Sequence, residues 1–206
     1  MKRITQVPLD EVENAKKFAE INIIEHLKNN KNISYSFSIN FVGSASKQMV
    51  VFDEKGHFDL DFQIKLDYQN GKLLKANKIR EIFKQTFVDI GYPQTENSTT
   101  ALTVRFKKQP FSFDFVIIGE NNAGEYIIRR NINPNNNDTN HYHWDMLTTK
   151  FNDCYDYYDK LGEQTQDFLK QLVIEAKMQN YKLGYDKRKS GSVIFIEKIY
   201  EYKKQH

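Results

Sequence analysis

FVGSASKQMVVFDEKGHFDLDFQIKL, residues 41 to 66, decides how the rest of the chain is read. It reads as the end of one strand, a Gly-Ser turn, a loop and a second strand. In the second strand Phe58, Leu60, Phe62, Ile64 and Leu66 fall on one face and Asp59, Asp61 and Gln63 on the other, because strand side chains alternate with period 2. A rise of about 3.3 Å per residue puts the two carboxylates roughly 6–7 Å apart along the chain. Like charges so placed repel, and each is costly beside a core. A divalent cation between them removes that cost, and Mg²⁺ prefers carboxylate oxygens together with phosphate oxygens and water. Taken alone, the same stretch also reads as a strand with a solvated acidic face.

A third acid lies further on. TALTVRFKKQPFSFDFVII, residues 100 to 118, reads as a hairpin. Leu102, Val104 and Phe106 alternate on the first arm, Lys107 to Pro110 make the turn, and Phe111, Phe113, Phe115 and Ile117 alternate on the second. Asp114 is then opposite the phenylalanines, and a lone carboxylate there is expensive without a partner. If this arm lies beside the Asp59/Asp61 strand, three carboxylates converge on one face.

The run GSAS, then D-L-D about a dozen residues later, then an Asp flanked by apolar residues on a later strand, resembles the nucleotidyltransferase superfamily with the DNA polymerase β-like catalytic fold. The nearest look is to the branch that holds the oligoadenylate synthetases, the bacterial cyclic-oligonucleotide synthases and the archaeal CCA-adding enzymes. The resemblance covers roughly residues 35 to 120, and the order of the three motif pieces is more specific than any one of them. It implies that Asp59, Asp61 and Asp114 are catalytic metal ligands for Mg²⁺, or Mn²⁺ in its place. It also implies that Gly43 and Ser44 hold the phosphates of an NTP, ATP favoured, with Ser46 and Lys47 as further donors. Lys177, in LVIEAKMQN, matches the family's lysine at the triphosphate, and in the last segment only Ser192 and Glu197 match. The chain departs from the pattern after the turn, where Gln48-Met49 stand in place of a Thr or Gly. For Gly43-Ser44 a plain strand-ending turn is the other reading, and for Lys47 and Lys177 an ordinary solvated lysine.

Composition sets the frame. The 206 residues suit one large domain or one domain with an appendage. The 15 Phe and 12 Tyr supply much of a packed core. Net charge is +3, too small to argue by itself for nucleic acid, which counts against an RNA-binding adaptor. The single cysteine, Cys154, excludes a disulfide within the chain. The N-terminus lacks the apolar run of a signal peptide, and no stretch approaches the ~18 apolar residues of a membrane span. A soluble cytoplasmic protein with no membrane partner is expected. The abundance of Asn, Lys and Ile suggests an AT-rich bacterial or phage genome.

In chain order, residues 9 to 29 predict an amphipathic helix on Val12, Ala15, Ala19, Ile23 and Leu27, capped by Asp10. Residues 33 to 42 predict a strand. Residues 73 to 90 predict a helix on Leu73, Leu74, Ile79, Ile82, Phe83, Phe87 and Ile90, closed by Gly91. Residues 119 to 143 are polar and Asn-rich and read as a long surface loop around a short strand, Tyr126 to Ile128. In it Arg129-Arg130 read as a solvated pair or a phosphate contact. His141 and His143 suggest zinc only weakly, without further spaced ligands. Trp144 is expected to anchor the following helix. Residues 145 to 181 predict one or two helices on Leu161, Phe168, Leu169, Leu172, Val173, Ala176 and Met178, and residues 190 to 203 a final strand or helix.

The expected fold is therefore α/β: a mixed sheet of about four or five strands with helices packed on it, plus a short helical C-terminal part. A catalytic core over 1–130 and an extension over 131–206 are expected. The expected function is metal-dependent transfer of an NMP from an NTP to an acceptor hydroxyl, with release of pyrophosphate. At this length the large second lobe of the family does not fit, so a small-molecule or protein acceptor is favoured over a large RNA. A nucleotide-binding or interaction module of the same fold without catalysis is the alternative.

Overall fold

The computed structural model describes residues 4–67, 74–93, 98–131, 142–147, 149–183 and 187–206, with the backbone alone at 149–152. These residues form a mixed α/β fold, as the alternation and helical stripes predict. The chain divides into two compact units interleaved along the sequence. One comprises Met1–Val12, Gly43–Phe58 and Thr148–His206, the other Glu13–Val42 and Asp59–Leu147.

The second unit holds the sheet. Its strands are β1 (Phe37–Val42), β2 (Phe58–Leu66), β3 (Ala101–Arg105), β4 (Phe111–Asn121), β5 (Gly124–Arg130) and β6 (Tyr142–Met146). The order is β1-β2-β4-β5-β6, with β3 also paired to β4. The two halves of β4 have different partners: Ser112 to Val116 pair with β3, and Ile118 to Asn121 with β5. The pairs β1–β2, β3–β4, β4–β5 and β5–β6 are antiparallel, so β2 beside β4 is the parallel join of a mixed sheet.

Strand period and helix period meet in one core. On β2 the residues Phe58, Leu60, Phe62, Ile64 and Leu66 are buried in strict alternation. On β4 Phe113, Phe115 and Ile117 are fully buried. The Phe62 and Phe115 rings stack with centroids 5.0 Å apart, and Phe87 meets Phe115 at the same distance. Phe87 belongs to α4 (Ala76–Asp89), which also buries Ile79 and Phe83. Its end follows the predicted rule: Gly91 takes φ +84°, and the Tyr92 amide donates to the Phe87 carbonyl at 2.8 Å. Leu73, expected in this helix, lies outside the described residues. The helix predicted over 9 to 29 is α1 (Leu9–Ala19), a π-helical turn (Glu20–Ile24) and α2 (Glu25–Asn29). Asp10 sits inside its first turn rather than ahead of it, where a carboxylate still favours the helix dipole.

Among the described residues the sheet has six strands where about four or five are expected, and the reason lies in the segment read as a loop. β4 runs on to Asn121, β5 is longer than Tyr126 to Ile128, and Tyr142–Met146 form an edge strand, β6. Trp144 therefore anchors a strand and not a helix: its indole N–H donates to the Leu74 carbonyl at 2.5 Å. Tyr142, two residues before and on the same face, lies 4.2 Å from the Arg80 guanidinium. Arg80 is 2% exposed and donates to the Thr100 and Ala101 carbonyls at 3.0 and 2.8 Å, fixing the start of β3. Residues 132–141, including His141, lie outside the described residues.

The first unit joins its N-terminal segment to residues 50–52 through a bridge between Gln6 and Val51. Its helices are α3 (Gly43–Ser46), α5 (Thr149–Asp159), α6 (Glu163–Tyr181) and α7 (Gly191–Gln205). Met49, Val51, Tyr158, Leu169, Val173, Ile174, Phe195 and Ile199 make its core. Phe168, expected in the apolar stripe, is 54% exposed, and the buried face of α6 runs through Leu169, Val173, Ile174 and Lys177 instead. The 190–203 segment is a helix, capped by the Ser190 side chain, which accepts from the Val193 amide at 3.3 Å. No helix among the described residues is long and apolar enough to cross a membrane.

Because Phe115 sits between Phe62 and Phe87 and is fully buried, Phe115→Ala is expected to lower stability by about 3–5 kcal/mol in urea-induced unfolding.

Candidate active site

The acidic face is the reverse of the core face. Asp59 is exposed and Asp61 half-buried on β2, and Asp114 is half-buried on β4. All three predicted acids thus lie on one face of two adjacent strands. Two hydroxyls that the sequence reading did not single out hold two of them. The Ser112 hydroxyl on β4 donates to Asp59 Oδ1 on β2. The Thr103 hydroxyl on β3 donates to Asp114 Oδ1 at 2.5 Å, and Thr103 is the cross-strand partner of Asp114. Since β2 and β4 run parallel, the Asp59–Ser112 contact sets Asp61 and Asp114, each two residues further, at about the same level of the sheet. The signal for Ser112 was in the sequence: it stands two residues before Asp114 and so shares its face.

Further along the same face, Lys65 bridges Glu125 at 2.8 Å and Glu120 at 2.9 Å. Its hydrogen bonds to Glu125 and then Glu120 raise its pKa above the ordinary lysine value. At neutral pH Lys65 is therefore fully charged, and the modest contribution of its ion pairs is lost only as pH rises through that raised value. Arg129 pairs with Asp145 at 3.0 Å. His143 is exposed on β6.

Carboxylate oxygens are the donor type that Mg²⁺ takes, and three carboxylates lie on these neighbouring strands. Among the described residues, however, no three His, Cys, Asp or Glu side chains stand together closely enough to hold a metal ion. The convergence predicted from sequence is one of face and strand order. Asp59 and Asp114 are drawn to Ser112 and Thr103, whose hydroxyls stabilise their charge.

The remaining predicted site residues belong to the other unit. Gly43 opens α3 directly after β1 with φ +69°, a conformation that favours glycine. Ser44 is half-buried, and its carbonyl accepts from the Met49 amide at 2.8 Å. The Ser46 hydroxyl donates back to the Gly43 carbonyl at 2.8 Å. Lys47 is ion-paired with Asp159. Gln48 takes φ +57°, and Lys170 donates to its side-chain oxygen at 2.7 Å. The departure after the Gly-Ser turn is thus a tightly wound loop. Lys177 is 5% exposed, and its ammonium donates to the Met49 carbonyl at 2.9 Å. It also lies against the first residue of α7: a Cβ on Gly191 would come within 3.2 Å of its Nζ. α3 packs against α7. Lys177 is therefore not an ordinary solvated lysine. Ser190, the α7 cap, escaped the sequence reading although Ser-Gly-Ser before an apolar run is a helix-start signal. Of the two residues matched there, Ser192 lies 3.1 Å from the Ser190 hydroxyl, and Glu197 pairs with Lys189 at 2.7 Å.

No protein-family model matches the sequence. No curated protein matches it by sequence. Solved structures do match. The c-di-GMP synthase CdnE from Capnocytophaga granulosa superposes with a TM-score of 0.61 at 13% identity, over 95% of this chain and 60% of that one. CdnC from E. coli MS115-1, solved with ATP, gives 0.57 at 12% identity, over 98% of this chain and 62% of that one. The CD-NTase CdnG of Bradyrhizobium diazoefficiens, in complex with GTP, gives 0.56 at 10% identity, over 75% and 43%. The fold is that of these cyclic-oligonucleotide synthases, as the resemblance implies, and the chain spans 43% to 62% of their lengths.

Lys177→Met keeps the stem and removes the donor, leaving the Met49 carbonyl unpaired. Thermal denaturation is expected to show a loss of about 1–3 kcal/mol.

Proposed function

We propose that the chain is a nucleotidyltransferase that moves an NMP from an NTP to an acceptor hydroxyl. The observation that carries the reading is the placement of Asp59, Asp61 and Asp114 on one face of adjacent strands, in the fold of synthases solved with ATP or GTP. Asp59 and Asp61 would hold Mg²⁺ or Mn²⁺ with the triphosphate, and Asp114 would complete the set on the acceptor side. When bound, the cation supplies charge neutralisation at the attacking and leaving oxygens. Asp114 takes part in removing the acceptor's proton. The hydroxyl oxygen attacks the α-phosphorus in line, a new P–O ester bond forms, and the bond to pyrophosphate breaks.

Gly43 and Ser44 are assigned to the triphosphate, because a backbone without a Cβ admits close approach and α3 begins there. Ser46 and Lys47 are assigned as further donors, and each would have to leave its present partner. Lys177, held beside the start of α7, contributes positive charge. ATP is the favoured donor. The acceptor is a small molecule, a class that includes a second nucleotide such as the c-di-GMP synthase joins, or a protein hydroxyl. The net charge of +3 weighs against a large RNA.

A nucleotide-binding module without catalysis is the second reading. It is favoured by the ion pair that occupies Lys47 and by the burial of Lys177.

Calorimetric titration of each NTP with Mg²⁺ tests the donor site. Binding is expected to require the metal and to weaken by at least about 100-fold, roughly 2.7 kcal/mol, in Asp59→Asn/Asp61→Asn. Folded wild-type protein that binds no NTP would overturn the donor-site reading. Binding without pyrophosphate release across a panel of acceptors would select the second.

A further inference from the structure

The acidic face continues past its carboxylates along β1, β2 and β4. Gln63 follows Asp61 by two residues on β2, so it shares that face about 6–7 Å further on. Asn40, on the outer strand β1, is the antiparallel partner of Gln63. Val116 follows Asp114 by two residues on β4. Since Asp61 and Asp114 lie at about the same level of the sheet, Gln63 and Val116 share the next one. One step beyond the acids, the face therefore carries two amides beside an aliphatic side chain. Asn40 is exposed, and Gln63 and Val116 are half-buried. Among the described residues neither amide side chain has a hydrogen-bond partner.

This row bears no charge of its own. At the following step Lys65 is held by Glu120 and Glu125, which leaves no cation there for a phosphate or a carboxylate. Side chains directly opposite in an antiparallel pair have Cβ atoms about 4.5–5.5 Å apart, so the two amides can meet one ligand. Each brings two N–H donors and a carbonyl acceptor. With Val116 beside them they suit a flat, uncharged group that has an apolar face and both donors and acceptors on its edge. That is the chemistry of a nucleobase, whose edge Asn and Gln side chains bond in pairs.

We propose that Asn40 and Gln63 are specificity-determining residues that bond the base edge of a nucleoside or nucleotide acceptor, whose ring lies against Val116. The inference rests on the nucleotidyltransferase reading of the acidic face and narrows its acceptor to a compound that carries a base. In a nucleoside the base and the sugar hydroxyls are separated by the width of one sugar ring, which is of the order of the step from Gln63 back to Asp61. A base held on the amide row therefore sets its own sugar hydroxyl beside the carboxylates.

The test is steady-state pyrophosphate release with Mg²⁺ and dideoxy-ATP, a donor that cannot itself accept. The acceptors are the four ribonucleosides and their monophosphates, a ribose phosphate without a base, and a serine peptide. Wild type is expected to use the base-bearing acceptors and to leave the ribose phosphate and the peptide unused. Asn40→Ala and Gln63→Leu are each expected to raise the KM of the preferred acceptor about 10-fold, with a smaller change in kcat, and to flatten the ranking of the bases. Gln63→Glu, which keeps the shape and loses the donors, is expected to reorder that ranking. Should Gln63→Leu fail to fold by circular dichroism, Asn40→Ala and Gln63→Glu decide. Unchanged acceptor KM and base ranking in the folded variants overturns the inference and leaves the transferase reading standing. So does wild-type transfer to the ribose phosphate or the peptide as readily as to the nucleosides. No pyrophosphate release with any acceptor overturns both.

Discussion

Strand periodicity is the constraint on which the acidic face depends. β2 and β4 each commit every second side chain to an aromatic core, Phe62 and Leu60 on one, Phe113 and Phe115 on the other. Slipping either strand by one residue would put those rings in water and carboxylates in the core, an exchange worth many kcal/mol. The register that buries the phenylalanines therefore also fixes the face of Asp59, Asp61 and Asp114. Placing three acidic side chains on one face is unfavourable by itself, and it persists because the core energy on the reverse face is larger. The hydroxyls of Ser112 and Thr103 reduce the penalty locally.

Much of this was legible in the sequence, for a reason that can be stated per element. Phe58 to Leu66 and Phe111 to Phe115 alternate without a fault, so both strands and the side each Asp takes could be read directly. Gly43 and Gly91 marked positions where positive φ is needed, and both have it. β6 was hidden because Tyr-His-Trp-Asp-Met alternates with no aliphatic residue and follows an Asn-rich run. What makes it a strand is tertiary: the Trp144 indole on the Leu74 carbonyl and the Tyr142 ring on Arg80. Burial of Lys177 was equally unreadable, since a lysine at helical spacing gives no sign that a carbonyl more than a hundred residues earlier will meet it. The partners of the carboxylates fall between these cases. Ser112 was on the right face by counting, whereas pairing Thr103 with Asp114 required the hairpin register.

The residues assigned roles in the proposed reaction fall in both interleaved units. The acids lie on the sheet of one unit, and Gly43, Ser44, Lys47 and Lys177 lie in the other. Within the first unit, Lys177 ties the Met49 carbonyl to the start of α7, so the loop after Gly43-Ser44 is fastened to the C-terminal helices although its sequence departs from the resembled pattern. The atypical loop sequence supplies its own attachments: the Met49 carbonyl to Lys177, the Gln48 side chain to Lys170 and Lys47 to Asp159.

Paramagnetic broadening locates a bound cation without requiring turnover or knowledge of the acceptor. Sub-stoichiometric Mn²⁺ added to the ¹⁵N-labelled chain with a non-hydrolysable ATP analogue is predicted to erase amide signals around Asp59 to Asp61 and Ser112 to Asp114, and to spare the far end of the sheet at Glu120 and Glu125. Broadening centred on Glu120 and Glu125, or none at all with the analogue bound, would contradict the assignment of Asp59, Asp61 and Asp114 as the metal-binding face.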